Sequence, residues 1–226
     1  MAKYINTEII FKNRLEAGKR LAEKLVSYKL QNPIVIALPR GGVAVAKPIS
    51  DFLSAKLDIM VSKKIGAPNN PELAIGAVTS HGDYVIASYV NDSSDETPQE
   101  RERKWDYIQK QVVYLIEDCK EREKKYKQGN RNGFLNLMYK NQNIILVDDG
   151  TATGMTALAA IKSVKKQNPA FLILAIPVIS SDAYDEIQSQ VNKIETLKIP
   201  RDFIAVGVHY KDFDPVTDDE IKAMLV

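Results

Sequence analysis

The run from Ile144 to Thr156 constrains the fold of this chain more than any other segment. It opens with apolar residues up to Val147, which are typical of a buried strand in a parallel sheet. Two carboxylates, Asp148 and Asp149, follow, and a turn rich in glycine and threonine leads into a helix predicted over 157–164. In an open α/β sheet, ligands bind beyond the carboxyl ends of the strands, where a helix N-terminus presents free N–H groups to an anion. The run therefore predicts a sugar-phosphate site, with the phosphate on the loop and a diol on the two acids.

A turn that serves only packing is the structural alternative for this run, because many strand-to-helix turns contain glycine and threonine. That alternative does not readily explain two neighbouring carboxylates at a strand end. Desolvating both acids is costly unless a polar or cationic group meets them. The pair of acids therefore favours a binding site.

Length and composition predict a single domain over 1–226 with one hydrophobic core. Hydrophobic residues make up 45% and charged residues 27%, and a formal net charge of +2 gives no support to a nucleic-acid or membrane surface. No apolar run reaches the ~18 residues of a membrane span, and the N-terminus lacks the apolar core of a signal peptide. The lone cysteine, Cys119, excludes an intrachain disulfide and a cysteine-built zinc site. We therefore expect a cytoplasmic protein.

The rest of the chain alternates short apolar strands with amphipathic helices. Further helices are predicted over 13–28, 43–53, 96–127, 182–190 and 217–225. Further strands are predicted over 34–38, 58–61, 74–78, 84–90, 171–177, 193–196 and 203–208, with a hairpin turn at 80–83. This alternation predicts an α/β fold with a mainly parallel twisted sheet and helices on both faces.

The run from Asp148 to Thr156 resembles the phosphoribosyl-diphosphate signature of type I phosphoribosyltransferases almost position for position. The resemblance implies that Asp148 and Asp149 hold the ribose 2- and 3-hydroxyls and that the following loop cradles the 5-phosphate. It also implies Mg²⁺, held mainly by phosphoribosyl diphosphate and through water by the two acids, with no direct protein ligand. The residues that it assigns to the 5-phosphate are Gly150, Thr151, Ala152, Thr153, Gly154, Met155 and Thr156.

A second loop, Pro39 to Gly42, follows the first strand of the predicted sheet. Its glycines let the backbone approach an anion closely, although a simple turn is the alternative. The resemblance implies that Arg40, Gly41 and Gly42 bind the pyrophosphate group and that the loop contains a strained or cis peptide.

Two lysines, Lys63 and Lys64, lie just past the second predicted strand, in a segment that would otherwise be an exposed basic turn. The resemblance implies that one of them contacts the pyrophosphate. Residues 64–68, 71–77, 11–18 and 210–213 are also similar to a subgroup of the family whose acceptor is unassigned. The resemblance therefore covers most of the chain.

The long charged helix and the loop after it, about 96–133, would form the lid that this family carries over its active site. A lid excludes water from a reactive sugar cation. Tyr126 and Arg131 are the candidate lid residues. The alternative is a solvated helix that packs against a second subunit.

The C-terminal segment, about 193–226, would form a small hood over a nucleobase. Phe203 and Tyr210 are the candidates for stacking on a flat ring, together with His209 and Phe213. The alternative is that these aromatic side chains simply close the core.

The resemblance implies an enzyme that transfers the 5-phosphoribosyl group of phosphoribosyl diphosphate to a nitrogen of a nucleobase or similar small acceptor, releasing pyrophosphate. A homodimer is the expected assembly. The sequence leaves the acceptor open among guanine, hypoxanthine, adenine, uracil and an amine, and it assigns no general acid or base. Two alternatives are a non-catalytic sensor of phosphoribosyl diphosphate or a nucleotide, and a methyltransferase-like fold, which the late position of the glycine-rich loop disfavours.

Overall fold

The computed structural model of this chain describes residues 10–91, 96–128 and 139–225. Its strands are β1 (Ile34–Ala37), β2 (Lys56–Ile59), β3 (Ser62–Ala67), β4 (Asn70–Thr79), β5 (Tyr84–Ile86), β6 (Asn143–Val147), β7 (Phe171–Val178) and β8 (Lys193–Lys198). Its helices are α1 (Arg14–Lys24), α2 (Gly41–Leu53), α3 (Pro98–Lys127), α4 (Met155–Lys165), α5 (Ser181–Gln188) and α6 (Asp218–Met224). No helix within these ranges is long and apolar enough to cross a membrane.

Five strands form a parallel sheet in the order β2-β1-β6-β7-β8. Alternate residues of β1 face opposite sides, with Val35 packing among α1 and α2 and Ile36 among α4 and α5. Both faces are therefore buried, which is why these strands are continuous apolar runs. The predicted α/β fold with a mainly parallel sheet is confirmed. β8, the first part of the segment assigned to the hood, is an edge strand of this sheet.

A second, antiparallel sheet in the order β3-β4-β5 was not predicted as such. The hairpin between β4 and β5 is confirmed, and its turn places Gly82 at a φ of 88°. The segment after the second predicted strand, for which an exposed basic turn was the alternative, is instead β3. Because only one face of this strand is covered, Lys64 is exposed while Ile65 is buried, and the apolar run that marks a buried strand is missing.

The strand predicted over 203–208 is wrong. Residues 203–205 are irregular and Val206–His209 form a short 3₁₀ helix. A Cβ at Gly207 would lie 2.8 Å from the ring of Phe213, so packing of the C-terminal segment against this backbone replaces strand pairing. This packing leaves Phe203, Val206 and Val208 half-buried, while Ile204 is exposed.

The thirty-residue helix α3 confirms the long helix predicted over 96–127. It begins with a capping box, in which the Thr97 side chain accepts from the Glu100 N–H and the Glu100 side chain accepts from the Thr97 N–H. Its buried stripe, which includes Ile108 and Val112, packs against β3 and β4. The helix is therefore docked on the antiparallel sheet rather than fully solvated.

A buried carboxylate joins the end of α3 to the central sheet. The side chain of Asp58, on β2, is 3% exposed, and its Oδ1 lies 3.0 Å from Lys127 Nζ. Its Oδ2 accepts a hydrogen bond of 3.1 Å from the hydroxyl of Tyr139. Lys127 Nζ also lies 2.8 Å from Glu123 Oε1. Burial lowers the pKa of Lys127, but the carboxylates of Asp58 and Glu123 outweigh it and raise that pKa overall.

Asp58→Asn should destabilise the protein by about 3 kcal/mol, because it removes a charge from a buried ion pair and leaves Lys127 short of a counter-ion. The free energy of unfolding in urea measures this effect. Asp51→Asn is the matched control, since Asp51 pairs with Lys47 on the surface and its side chain is 59% exposed. The control should change stability by no more than ~0.5 kcal/mol. Equal effects of the two substitutions would contradict the assignment.

Candidate active site

Two loops meet at the carboxyl ends of β1 and β6. The strands pair in parallel, with Ala37 opposite Val147, and the N–H of Leu38 donates to the carbonyl of Val147 at 2.9 Å. A Cβ at Gly41 would lie 1.9 Å from Asp149 Oδ2, so no side chain fits between the first loop and the acid. The structure thus brings together Pro39–Gly42 and Asp148–Thr156, the loops that were singled out in the sequence.

The first loop leads directly into α2. The peptide between Pro39 and Arg40 is cis, as the family resemblance led us to expect. Arg40 is exposed, and α2 begins at Gly41 without a side-chain cap. Within the described residues the N–H of Gly41 has no acceptor. The loop therefore offers an N–H donor, a cation and the positive end of a helix dipole to an anion.

The two acids are held differently. Asp149 Oδ2 accepts from Arg14 Nε at 2.7 Å, and the backbone carbonyl of Asp149 accepts from the hydroxyl of Tyr210 at 2.6 Å. Asp148 Oδ1 accepts from the Asp149 N–H at 2.8 Å. Arg14 was noted in the sequence only as part of the family resemblance, because no local pattern links a residue at the start of the chain to the acid loop. The structure adds it to the site.

The surroundings of Asp148 disfavour the charged form of its carboxyl group. Desolvation in the crevice raises the pKa of Asp148 well above its usual range, and the neighbouring charge of Asp149 raises it further. The positive charge of Lys64 acts in the opposite direction on the same pKa. This carboxyl therefore needs hydrogen-bond donors or a cation in the crevice to be stable as an anion.

Hydrogen bonds to the neighbouring strand end hold the second loop in shape. The N–H of Thr151 donates to the carbonyl of Val178 at 3.1 Å, and Thr151 Oγ1 accepts from the Gly154 N–H at 2.9 Å. Gly154 has a φ of 71°, a conformation that a side chain would disfavour. Ser180 Oγ donates to the carbonyl of Ala152 at 2.5 Å, a contact that the sequence did not suggest. Hydrogen bonds to the protein interior thus fix the conformation of the loop, and its outer surface stays accessible.

The outer surface of this loop presents donors. Ala152 and Thr153 are exposed, and Thr156 is half-buried. The helix α4 begins at Met155 without a side-chain cap, so its first N–H groups have no acceptor within the helix. The side chain of Met155 is buried in the core, which leaves only its backbone for binding. Such a helix start is suited to a phosphate.

The structure separates the two lysine candidates. They are neighbours on β3, so their side chains point to opposite faces. Lys63 forms an ion pair with Asp118 of α3. Lys64 is exposed and close enough to Asp148 to influence its pKa. Of the two, Lys64 is the one whose charge reaches the site.

The structure corrects the stacking role that was predicted for Tyr210. Its side chain is buried, with ring centroids 5.1 Å from Phe11 and 5.0 Å from Phe213. Burial raises the pKa of Tyr210, and the charge of Asp149 adds to this effect. The ring therefore packs beneath the acid loop, where it is not accessible for stacking on a ligand. Phe203 is half-buried and lies 5.6 Å from the ring of His209, so part of it stays accessible.

The first lid candidate, Tyr126, is 1% exposed, and its hydroxyl donates to Asp218 Oδ1 at 2.8 Å. Burial raises the pKa of Tyr126 to about 12, with the hydrogen bond to Asp218 as the next cause. In the structure this side chain joins α3 to α6. The second candidate, Arg131, lies outside the described residues.

Comparison with known proteins identifies the family of this chain. The sequence model of the phosphoribosyl transferase domain matches residues 6–212. Two Mycobacterium tuberculosis proteins, from strains CDC 1551 / Oshkosh and H37Rv, are provisionally named phosphoribosyl transferases and are each 31% identical over 221 residues. These 221 residues are 96% of this chain but 46% of each relative, so the chain spans about half the length of these relatives.

A solved structure shows the same fold. The crystal structure of TT1426 from Thermus thermophilus is 34% identical and has a TM-score of 0.75. The similarity covers 96% of this chain and 97% of that chain. Because the family match spans every strand of the central sheet and both strand-end loops, this chain belongs to the phosphoribosyl transferase domain family.

Proposed function

We propose that this protein is a Mg²⁺-dependent phosphoribosyltransferase that moves the 5-phosphoribosyl group of phosphoribosyl diphosphate to a nitrogen of a nucleobase or similar small acceptor, releasing pyrophosphate. One observation carries the proposal. A Cβ at Gly41 would lie 1.9 Å from Asp149 Oδ2, so the loop at the start of α2 and the acid pair line one crevice. Phosphoribosyl diphosphate requires both features, since its pyrophosphate and its ribose hydroxyls are joined through one sugar ring.

Each part of the donor has a counterpart in the crevice. The loop from Gly150 to Thr156, which is exposed at Ala152 and Thr153, and the start of α4 suit the 5-phosphate. Asp148 and Asp149 suit the ribose hydroxyls, because carboxylates accept strong hydrogen bonds from them. Arg40, Lys64 and the N–H groups at the start of α2 suit the pyrophosphate.

The acid pair also fits Mg²⁺ that arrives with the donor. Among the described residues no group of three or more His, Cys, Asp and Glu side chains could hold a metal ion. Mg²⁺ prefers one or two carboxylates together with phosphate oxygens and water, which is the donor set that Asp148, Asp149 and phosphoribosyl diphosphate would provide. When bound, the ion would offset negative charge on the pyrophosphate.

In the proposed reaction, the bond between ribose C1 and the pyrophosphate oxygen breaks, and the oxygen leaves with the electron pair. The acceptor nitrogen forms a new bond to C1 from the opposite face and releases its proton to water. The residues of this chain act mainly by holding the sugar in place and by stabilising the leaving pyrophosphate with Arg40, Lys64 and backbone N–H groups. No general acid or base is assigned.

The acceptor side of the crevice is supported by the segment that follows β8. A Cβ at Gly150 would lie 2.5 Å from Val206 Cγ1, so this segment packs directly on the acid loop. Phe203 and Ile204 lie on the same segment, and Ile204 is 50% exposed. An apolar surface of this kind suits a flat ring, which favours a nucleobase. The homodimer stays a prediction.

Purified protein with Mg²⁺ and phosphoribosyl diphosphate should release pyrophosphate when the correct base is supplied from a panel of purines, pyrimidines and amines. The variant Asp148→Asn with Asp149→Asn should bind the donor at least ~10-fold more weakly, because two charge-assisted hydrogen-bond acceptors are lost. Calorimetry gives the affinity, and circular dichroism checks that the fold is intact. Donor binding without turnover on any acceptor would favour a sensor, and no donor binding by the wild type would refute the proposal.

Asp148→Asn alone should raise stability near neutral pH while weakening donor binding. A carboxyl whose pKa is raised by folding destabilises the folded state at pH values above its unfolded pKa of about 3.9, and the penalty reaches its full size above the folded pKa. The gain should be about 1–2 kcal/mol at pH 8 and should vanish near pH 4. Thermal melts at both pH values measure it. The exposed Asp106→Asn is the control, and a destabilised Asp148→Asn protein at pH 8 would contradict the assignment.

Lys64→Ala should weaken the binding of inorganic pyrophosphate by about 10-fold, the size expected for the loss of one cation near a phosphate group. Lys63→Ala is the matched neighbour, and its effect on the same affinity should stay within ~2-fold because its charge is directed at Asp118. Isothermal titration compares the two variants. A larger effect at Lys63 would contradict the assignment of Lys64 to the pyrophosphate.

A further inference from the structure

Arg14 is held on three sides beside the proposed site. Its Nε donates to Asp149 Oδ2 at 2.7 Å, and its Nη1 donates to the carbonyl oxygen of Asp214 at 2.8 Å. Its Cζ lies 3.7 Å from the centroid of the Phe213 ring. The side chain is 12% exposed. A planar guanidinium fixed by two hydrogen bonds and a stacked ring has little freedom to turn.

The start of α1 also fixes this position. Arg14 is the first residue of the helix, and the side chain of Asn13 caps it by accepting from the Glu16 N–H at 3.0 Å. The cap holds the backbone of Arg14, while Phe213 and Asp214 hold its head group. The guanidinium therefore reaches Asp149 as a preorganised donor.

The ion pair lies against the proposed pyrophosphate loop as well as the acid pair. A Cβ at Gly41 would lie 1.9 Å from Asp149 Oδ2 and 2.9 Å from Arg14 Nε. Without a counter-ion, the Asp149 charge would repel a pyrophosphate bound at the start of α2. Two negative charges only a few ångström apart in a crevice repel each other strongly, because little water lies between them to screen the interaction.

We propose that Arg14 is a positioning residue of the phosphoribosyl-diphosphate site, which orients the Asp149 carboxylate for the ribose and cancels its charge beside the pyrophosphate loop. This inference rests on the proposed function. Orientation requires the fixed fork of arginine, whereas charge cancellation requires only a cation. The two roles therefore respond differently to lysine at position 14.

Two ligand fragments separate the two roles. Ribose 5-phosphate reports the acid pair and the phosphate loop, and inorganic pyrophosphate with Mg²⁺ reports the loop at the start of α2. Arg14→Met should weaken binding of both fragments by about 10-fold, as expected for losing one charge-assisted contact. Arg14→Lys should restore pyrophosphate binding to within ~2-fold of the wild type but leave ribose 5-phosphate binding impaired.

Arg20→Met is the matched control on the same helix. Its guanidinium lies over the ring of Phe11, at 5.1 Å, and donates to the carbonyl of Ile10 and to Glu16. It contacts neither Asp148 nor Asp149. This variant should bind both fragments like the wild type. Wild-type affinity for both fragments in Arg14→Met would overturn the inference, because Arg14 would then have no role in binding. An equal loss of affinity for both fragments in Arg14→Lys and Arg14→Met would also overturn it, because the charge at position 14 would then have no effect apart from orientation.

A measurement without ligand distinguishes this inference from the proposed function. The urea midpoints of Arg14→Met, Asp149→Asn and the double variant should be non-additive, since each single change already removes the same ion pair. Additive midpoints would overturn the coupling of Arg14 to Asp149. Failure of the wild type to bind phosphoribosyl diphosphate would instead refute the proposed function, and the midpoints would still show whether the two residues are coupled.

Discussion

Parallel pairing of β1 with β6 is the constraint on which the rest of the site depends. It sets Ala37 beside Val147. The hydrogen bond from the Leu38 N–H to the Val147 carbonyl continues the pairing to the residues where the two loops begin. Both faces of these strands are buried, so a slip of one residue would turn every side chain towards the opposite helix layer and disrupt the close packing on both faces. The loop after each strand is thereby delivered to one crevice, with Gly41 against Asp149.

The crevice concentrates negative charge, and the fold offsets only part of it. Asp149 is met by Arg14 and its backbone carbonyl by Tyr210, so the N-terminal helix and the C-terminal segment hold this residue from two directions. Asp148 has the N–H of Asp149 and the distant charge of Lys64, and its pKa is raised. A carboxyl that the folded protein does not fully satisfy is typical of a place where a ligand supplies the missing partners. Binding capacity here is gained at some expense of stability.

Much of the fold and the centre of the site could be predicted, because their signals are local. Apolar runs mark the strands of the central sheet, and the turn from Asp148 to Thr156 has its chemistry in consecutive residues. The strand β3 was missed because one face is open and Lys63 and Lys64 interrupt its apolar pattern. The segment 203–208 has the composition of a strand, yet no neighbouring strand accepts it, and packing on Phe213 decides its shape.

The amino-acid sequence by itself determined the α/β architecture, the two strand-end loops and the pair of acids, since each depends on side chains adjacent along the chain. Only the tertiary structure decided which of two neighbouring lysines influences the pKa of Asp148, that Tyr210 lies beneath the acid loop, and that Arg14 pairs with Asp149. Arg14 and Asp149 are 135 positions apart. Contacts of that kind follow from how the helices and the C-terminal segment pack on the sheet, which no local pattern of residues encodes.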